Sequence, residues 1–315
     1  MTVHPDGDAM RHQMHGFAKV TSRKGPPLLD DFVNGPPEND WANEMLFERS
    51  DTDIAMVQVV PIFGLYKEGV GPADLAYRYQ QSNPGRLRFC GGVDPLFQGV
   101  KGACEAMEYQ VKEMGADSIK FYQSQSPTQA WRADDRAVAY PLWEKAQELG
   151  VKMVQFHKGL PLAHARVEDL APNDIQLAAL DFPDLNWGLH HLGHPYVDET
   201  IDIASRFENV YLILPLLFNQ YFVQPMEMLH RLGKAMFYCG DDRLCYGSDG
   251  FVWPYFQAYI DLIAELEMPA ELQDGYGYPA ITDETRRKLL GENYARGLGL
   301  DLADLTAASK SAVAS

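Results

Sequence analysis

A parallel (β/α)8 barrel is the fold that this 315-residue chain predicts, on three observations. Short apolar runs alternate with helix-sized segments from residue 41 to residue 300, the pattern of successive βαβ units. Three of those runs, 151–157, 185–191 and 244–249, close on the titratable residues His157, His191 and Asp249. Parallel barrels keep their chemistry at that end, where strands leave the core. No Pro/Gly/Ser-rich linker or long charge run divides the chain, so one domain, 41–300, is expected between an irregular segment 1–40 and a tail 301–315.

The elements follow in order. A helix-like stretch, 41–49, precedes the apolar run 54–60, which Pro61 stops. Residues 72–81 place Leu75 and Tyr79 on one helical face and end at Asn83-Pro84-Gly85. The run 87–93 is a short strand before Asp94-Pro95, helix 100–114 stops at Gly115, and 118–122 is the next strand. Helix 140–149, ended by Gly150, leads into strand 151–156 and His157. Helices 174–181, 196–207 and 224–235 then alternate with strands 185–191 and 210–214 and the run to Asp249. Two helices close the domain, 255–266 and 282–290, the second capped by Thr282. That makes seven strands, and a closed barrel needs an eighth. It should precede Trp41, where the one candidate is 16–21, because 22–40 carries four prolines and reads as loop. The first strand is therefore expected to be irregular or supplied by another chain.

Composition narrows the function. With 46% hydrophobic residues the chain can bury one large core. A formal net charge of −17 argues against nucleic acid and anionic membranes as partners, since both are polyanions. The four cysteines show no C-x-x-C spacing, so reduced thiols are expected. The amino terminus lacks the apolar core of a signal peptide, and no window approaches the roughly 20 apolar residues of a spanning helix. A cytoplasmic protein with a small-molecule substrate is expected. Neither a Gly-rich dinucleotide loop, a P-loop nor a nucleophile elbow occurs, which sets aside nucleotide binding and serine hydrolysis.

Asn83-Pro-Gly-Arg-Leu-Arg-Phe89 is similar to a segment NPDRF, and Gly115-Ala-Asp-Ser-Ile-Lys120 to GAKGIK. Residues 140–150 lead into the histidine strand, and His191-Leu-Gly-His-Pro195 is similar to HLG. Arg243-Leu-Cys-Tyr-Gly-Ser-Asp249 is similar to RLLFGSDYP, and Lys288-Leu-Leu-Gly-Glu-Asn-Tyr-Ala-Arg296 to ILGENAARL. In that order these stretches resemble the amidohydrolase-related family of metal-dependent barrels. Its branch with aminocarboxymuconate-semialdehyde decarboxylase and γ-resorcylate decarboxylase also holds hydrolases and hydratases. The resemblance implies a hydrolase or non-oxidative decarboxylase acting on a small carboxylated or cyclic substrate. It makes His157 a metal ligand from the fifth strand, His191 the acid/base residue on the sixth, and Asp249 a ligand and proton acceptor on the eighth. Imidazole and carboxylate suit a divalent ion, Zn²⁺ first and Mn²⁺ second. Such an ion can lower the pKa of bound water to about 7, within reach of a histidine.

One part of the family pattern is missing. The family carries an H-x-H pair on its first strand, whereas only His4, His12 and His15 precede His157, and His12-Gln-Met-His15 is H-x-x-H. In a strand, residues i and i+3 point to opposite faces, so a bulge or one-turn helix would have to reunite the pair. His157 and Asp249 alone are too few for a catalytic centre with three protein ligands. Either another chain completes the site, in a homo- or hetero-oligomer, or the metal is lost and the chain is a structural or regulatory subunit.

Each candidate also has a plainer role. His157 alone would be a satisfied barrel-mouth histidine, and Asp249-Gly250 alone would end a strand. Their joint occurrence with His191 points to a site. His190 and His191 should face opposite ways, so at most one enters the mouth, and His190 is assigned to the helix side. His194 lines the pocket or caps the next helix. Lys120 contacts an anionic substrate or is a solvated strand-end lysine. Tyr122 walls an aromatic pocket while Phe121 packs in the core. Trp253 and Pro254 line the entrance, and Trp131-Arg132 sits in a loop that reaches substrate or a neighbouring subunit.

Overall fold

The computed structural model describes residues 12–13, 39–250 and 255–313. Seven parallel strands form its main sheet: β1 (Ala55–Gln58), β2 (Leu87–Gly92), β3 (Ser118–Phe121), β6 (Met153–Phe156), β7 (Asn186–His190), β8 (Val210–Ile213) and β9 (Leu244–Cys245). They pair in chain order, each with its successor. A small antiparallel hairpin, β4 (Ser124–Ser126) and β5 (Gln129–Ala130), intervenes between β3 and β6. Gln58 and Gln155 lie three strands apart in this sheet, yet the Gln58 amide donates to Gln155 at 3.1 Å. The sheet has therefore curled into a barrel wall. It stays open between β1 and β9 among the described residues. The expected first-strand segment, 16–21, and His15 lie outside them.

Period-two alternation sorts the strand residues into two layers. Outward positions of neighbouring strands build an aromatic seam against the helices. Phe121 stacks on Phe156 at 5.4 Å and Phe156 on Trp187 at 5.6 Å, while Trp143 of helix Tyr140–Glu148 meets all three edge-on. Each such side chain contributes about 1.5–3 kcal/mol through burial. Trp131 belongs to this seam, buried 5.7 Å from Phe121, and not to an outward-reaching loop. Inward positions form a second, smaller cluster of Met153, Tyr211, Ile213 and Cys245, closed off by Leu298. Gly297 lets helix Asn293–Leu298 approach so closely that a Cβ there would lie 2.5 Å from the Met153 methyl. The amino-terminal end of the barrel is thus plugged.

Between plug and mouth lies a polar layer centred on Gln155. Its carbonyl accepts from Gln58 and from His190 Nε2, and its amide donates to Ser118 Oγ and the Tyr294 hydroxyl, each at 2.8–3.1 Å. One amide satisfies four partners, which is how a barrel interior tolerates polar groups at all.

Helix boundaries follow local chemistry. Asp94 caps helix Pro95–Lys112, accepting from the Leu96 N–H at 2.8 Å, so this helix starts ahead of the expected 100. A break at Gly99 (φ 71°, ψ 155°) explains why the sequence periodicity begins only after it. Thr282 caps helix Asp283–Arg287 through the Thr285 N–H at 3.1 Å, as expected. The stretch 302–313, read as tail, is helix Leu302–Val313, and Ser309 anchors it to the Asp53 carbonyl at 3.0 Å. No helix among the described residues is long and apolar enough to cross a membrane.

Candidate active site

Alternation also decides what enters the mouth. Phe121 and Phe156 face the helices, so the next residues, Tyr122 and His157, face inward. Their rings stack with centroids 4.7 Å apart and planes 19° apart. His190 faces inward as well and reaches Gln155. By the same rule His191 should point away, but it adopts φ 61° and the following Leu192 φ 50°. That turn returns the His191 ring to the mouth, 4.6 Å from His157 and 5.8 Å from His190. Both adjacent histidines therefore reach the site, which corrects the expectation that only one could.

Strain concentrates here. The non-glycine residues with positive φ among those described are Leu160, Ala163, His191, Leu192, Leu216 and Asp249. All six follow the carboxyl ends of β6, β7, β8 or β9. Each costs on the order of 1–3 kcal/mol unless its surroundings enforce it, and such positions gather at functional sites. Gly159 shows what enforces them. The Leu160 N–H donates to the His194 carbonyl at 2.5 Å, and a Cβ on Gly159 (φ 61°) would collide with the Gly193 and His194 carbonyl oxygens. Gly159→Ala is expected to destabilise the fold by at least about 2 kcal/mol, counting positive φ and clash together. A thermal melt should show a midpoint lower by roughly 4 °C or more.

The histidines form a chain. His157 Nε2 lies 2.8 Å from the Leu160 carbonyl, so it carries the proton, and His157 Nδ1 accepts from His191 Nε2 at 3.0 Å. His191 Nδ1 then faces the Pro215 carbonyl at 3.4 Å without a proton to share. Two neutral rings thus hold two protons for three hydrogen-bond positions. Burial and the nearby Lys120 charge push His157 down to about 3, and burial holds His190 and His191 well below the ordinary histidine range. A folded pKa below the unfolded one means that the unfolded chain takes the proton more readily. The stability His157 contributes is complete above pH 6.5 and is lost as pH falls from there toward 3. His157→Gln should flatten the fall in melting temperature between pH 6.5 and 4, and an unchanged slope would count against this assignment.

Lys120 is 1% exposed and makes no hydrogen bond or ion pair among the described residues. Its Nζ sits 5.6 Å from the Tyr122 ring, and its charge bears on Asp249, His157, His190 and His191. Burial lowers its pKa well below 10.5. Asp249, half-buried at φ 51°, likewise has no hydrogen-bond partner among those residues. Burial raises it to about 6, against the opposing pull of Lys120. The structure therefore brings Lys120, His157, His191 and Asp249 to one mouth. His194 is exposed and lies 3.4 Å from Arg231 rather than with that group. Trp253 lies outside the described residues. The sequence reading missed His190, Gln155 and the Tyr122–His157 stack, for which the inward alternation from Lys120 was the available signal.

Two imidazoles kept neutral and a carboxylate without a partner among the described residues are suitable donors for a divalent cation. As arranged, however, both nitrogens of His157 are engaged, and no three His, Cys, Asp or Glu side chains among the described residues are grouped to hold an ion. The described residues do not by themselves make a metal centre.

A family model described as amidohydrolase matches residues 67–300. A comparison with curated proteins finds no match. Among solved structures, an uncharacterized TIM-barrel protein from Bordetella bronchiseptica superposes with a TM-score of 0.68 at 18% identity, over 94% of this chain and 92% of that one. A 4-oxalomesaconate hydratase from Rhodopseudomonas palustris gives 0.57 at 14% identity, over 99% and 95%. A dihydroxybenzoic acid decarboxylase from a Polaromonas species, bound to manganese and the inhibitor 2-nitroresorcinol, gives 0.54 at 17%, over 95% and 96%. At these identities the likeness is one of fold.

Proposed function

The chain belongs to the amidohydrolase family, and from that premise we propose that it is an enzyme: a hydrolase or non-oxidative decarboxylase for a small, cyclic, carboxylated substrate. The observation that carries this reading is the pair Lys120 and Asp249, without hydrogen-bond partners among the described residues, facing one mouth beside a histidine chain. Lys120 anchors the substrate's anion, and an incoming carboxylate restores the ammonium charge that burial disfavours. Asp249, raised to about 6, is available in both protonation states near neutral pH. In decarboxylation it gives a proton to the ring carbon bearing the carboxylate, that carbon–carbon bond breaks, and CO2 leaves without redox change. In hydrolysis it takes the proton of the attacking water and returns it to the leaving group as the scissile bond breaks. His191 Nδ1, which carries no proton and faces the Pro215 carbonyl at 3.4 Å, is the acceptor through which that proton passes transiently.

A bound divalent ion, zinc first and manganese second, would supply Lewis-acid chemistry. It would need His157 to release His191 and further ligands from the amino-terminal residues or another subunit. Assembly with a second chain that completes the mouth is part of the proposal, as is a cytoplasmic location. A second reading, a structural or regulatory subunit, is favoured by one observation: no H-x-H pair occurs anywhere in the chain.

The test is turnover of 2,6-dihydroxybenzoate and a panel of cyclic carboxylates, followed by CO2 release and by loss of substrate absorbance. It is run on the full chain with and without zinc or manganese. Turnover abolished by Asp249→Asn supports the enzyme. Absence of turnover across the panel, in every metal and assembly state, supports the subunit reading.

A further inference from the structure

Two neighbouring strand exits are tied together behind the mouth. Tyr122 and His157 point inward, so the residues after them, Gln123 and Lys158, point to the helix side. Both end on one carboxylate. Lys158 Nζ donates to Asp174 Oδ1 at 2.5 Å and to the Ala171 carbonyl at 3.1 Å. Gln123 Nε2 donates to Asp174 Oδ2 at 2.7 Å, and the Ala133 N–H to the same oxygen at 2.8 Å. Gln123, Lys158 and Asp174 are all buried. A buried ion pair seldom stabilises a fold more than apolar side chains of the same size would, so stability alone does not account for this one.

We propose that Asp174 is a positioning residue for His157. By holding Gln123 and Lys158 it fixes the separation of the β3 and β6 exits, and with it the stack of Tyr122 on His157. The Lys158 link to Ala171 also draws together the ends of the loop that presents the Leu160 carbonyl to His157 Nε2. Stack and carbonyl together hold the ring in one orientation and one tautomer, leaving Nδ1 to accept from His191. Second-layer control of an imidazole in this manner needs no contact with substrate. The inference rests on His157 being a site residue, and it is read on the ring itself, so it stands or falls apart from any turnover result.

Long-range nitrogen-15 spectra of the full chain report which His157 nitrogen carries the proton. The wild type should show a single Nε2–H tautomer with widely separated nitrogen signals. The double variant Lys158→Met/Asp174→Leu should bring those signals together as both tautomers become populated. Gln123→Leu is the second variant because it cuts only the β3 arm. Gln123 Oε1 is buried without a partner among the described residues, so that change also removes an unsatisfied acceptor and keeps the fold. It should shift the His157 signals in the same direction and reduce the ring-current effect of Tyr122. A folded Gln123→Leu protein with His157 signals at their wild-type positions overturns the proposal, whether or not the double variant folds.

Discussion

Lys120→Met is expected to make the protein more stable and its site far weaker. A lysine that is 1% exposed, with no hydrogen-bond or ion-pair partner among the described residues, is a cost to the fold. Replacing it with an apolar chain of similar length should stabilise by about 1–4 kcal/mol, the range for exchanging buried charge for packing. For a chain of this size that corresponds to a melting temperature higher by roughly 2–8 °C. The same change removes the only cation on the inward face of β3. Loss of a desolvated charge-assisted contact costs about 2–5 kcal/mol, so KM for an anionic substrate should rise roughly 30- to 5,000-fold. Thermal melts and steady-state kinetics on one preparation check both halves. A destabilised variant with unchanged KM would make Lys120 a structural residue.

The second large effect is on kcat. Asp249→Asn keeps the shape of the side chain but cannot exchange a proton, and a positioned acid or base contributes about 10²–10⁴-fold. A fall of that size in kcat, with KM nearly unchanged, is expected. The pH profile adds an independent check. Because Asp249 is raised to about 6, the rate should turn over near that pH, and the limb should vanish in the variant. Hydrolysis needs the ionised carboxylate and loses rate below that pH. Decarboxylation by proton donation needs the acid form and loses rate above it. The direction of the limb therefore distinguishes the two reactions.

Much of the barrel was legible because its strands are apolar runs punctuated by Gly and Pro, and all seven expected strands occur. The hairpin Ser124–Ser126/Gln129–Ala130 was not, since it is short and polar and carries no alternation. Helix Leu302–Val313 lies past the last motif and was read as tail, although a serine holds it to the barrel. Lys120, His157, His191 and Asp249 were legible as residues at or just past strand exits, and the structure turns all four to one mouth. What failed was local geometry. Alternation holds as far as His190 and breaks at His191, where a positive φ falls on His and Leu rather than on the Gly that would have marked it. Asp174 was invisible for another reason: its partners Gln123 and Ala133 are distant in sequence, and buried polar contacts leave no periodic trace. Trp131, in a stretch that reads as a long loop, turned out to be core.

The central claim is that Lys120, His157, His191 and Asp249 share one cavity and act on one molecule. A crystal structure of the full chain grown with saturating 2,6-dihydroxybenzoate tests it most directly. The account predicts the ligand's carboxylate on Lys120 Nζ, Asp249 against the same ligand, and the His157–His191 pair beside it. Side chains directed into separate spaces, or a ligand bound away from this mouth, would contradict it.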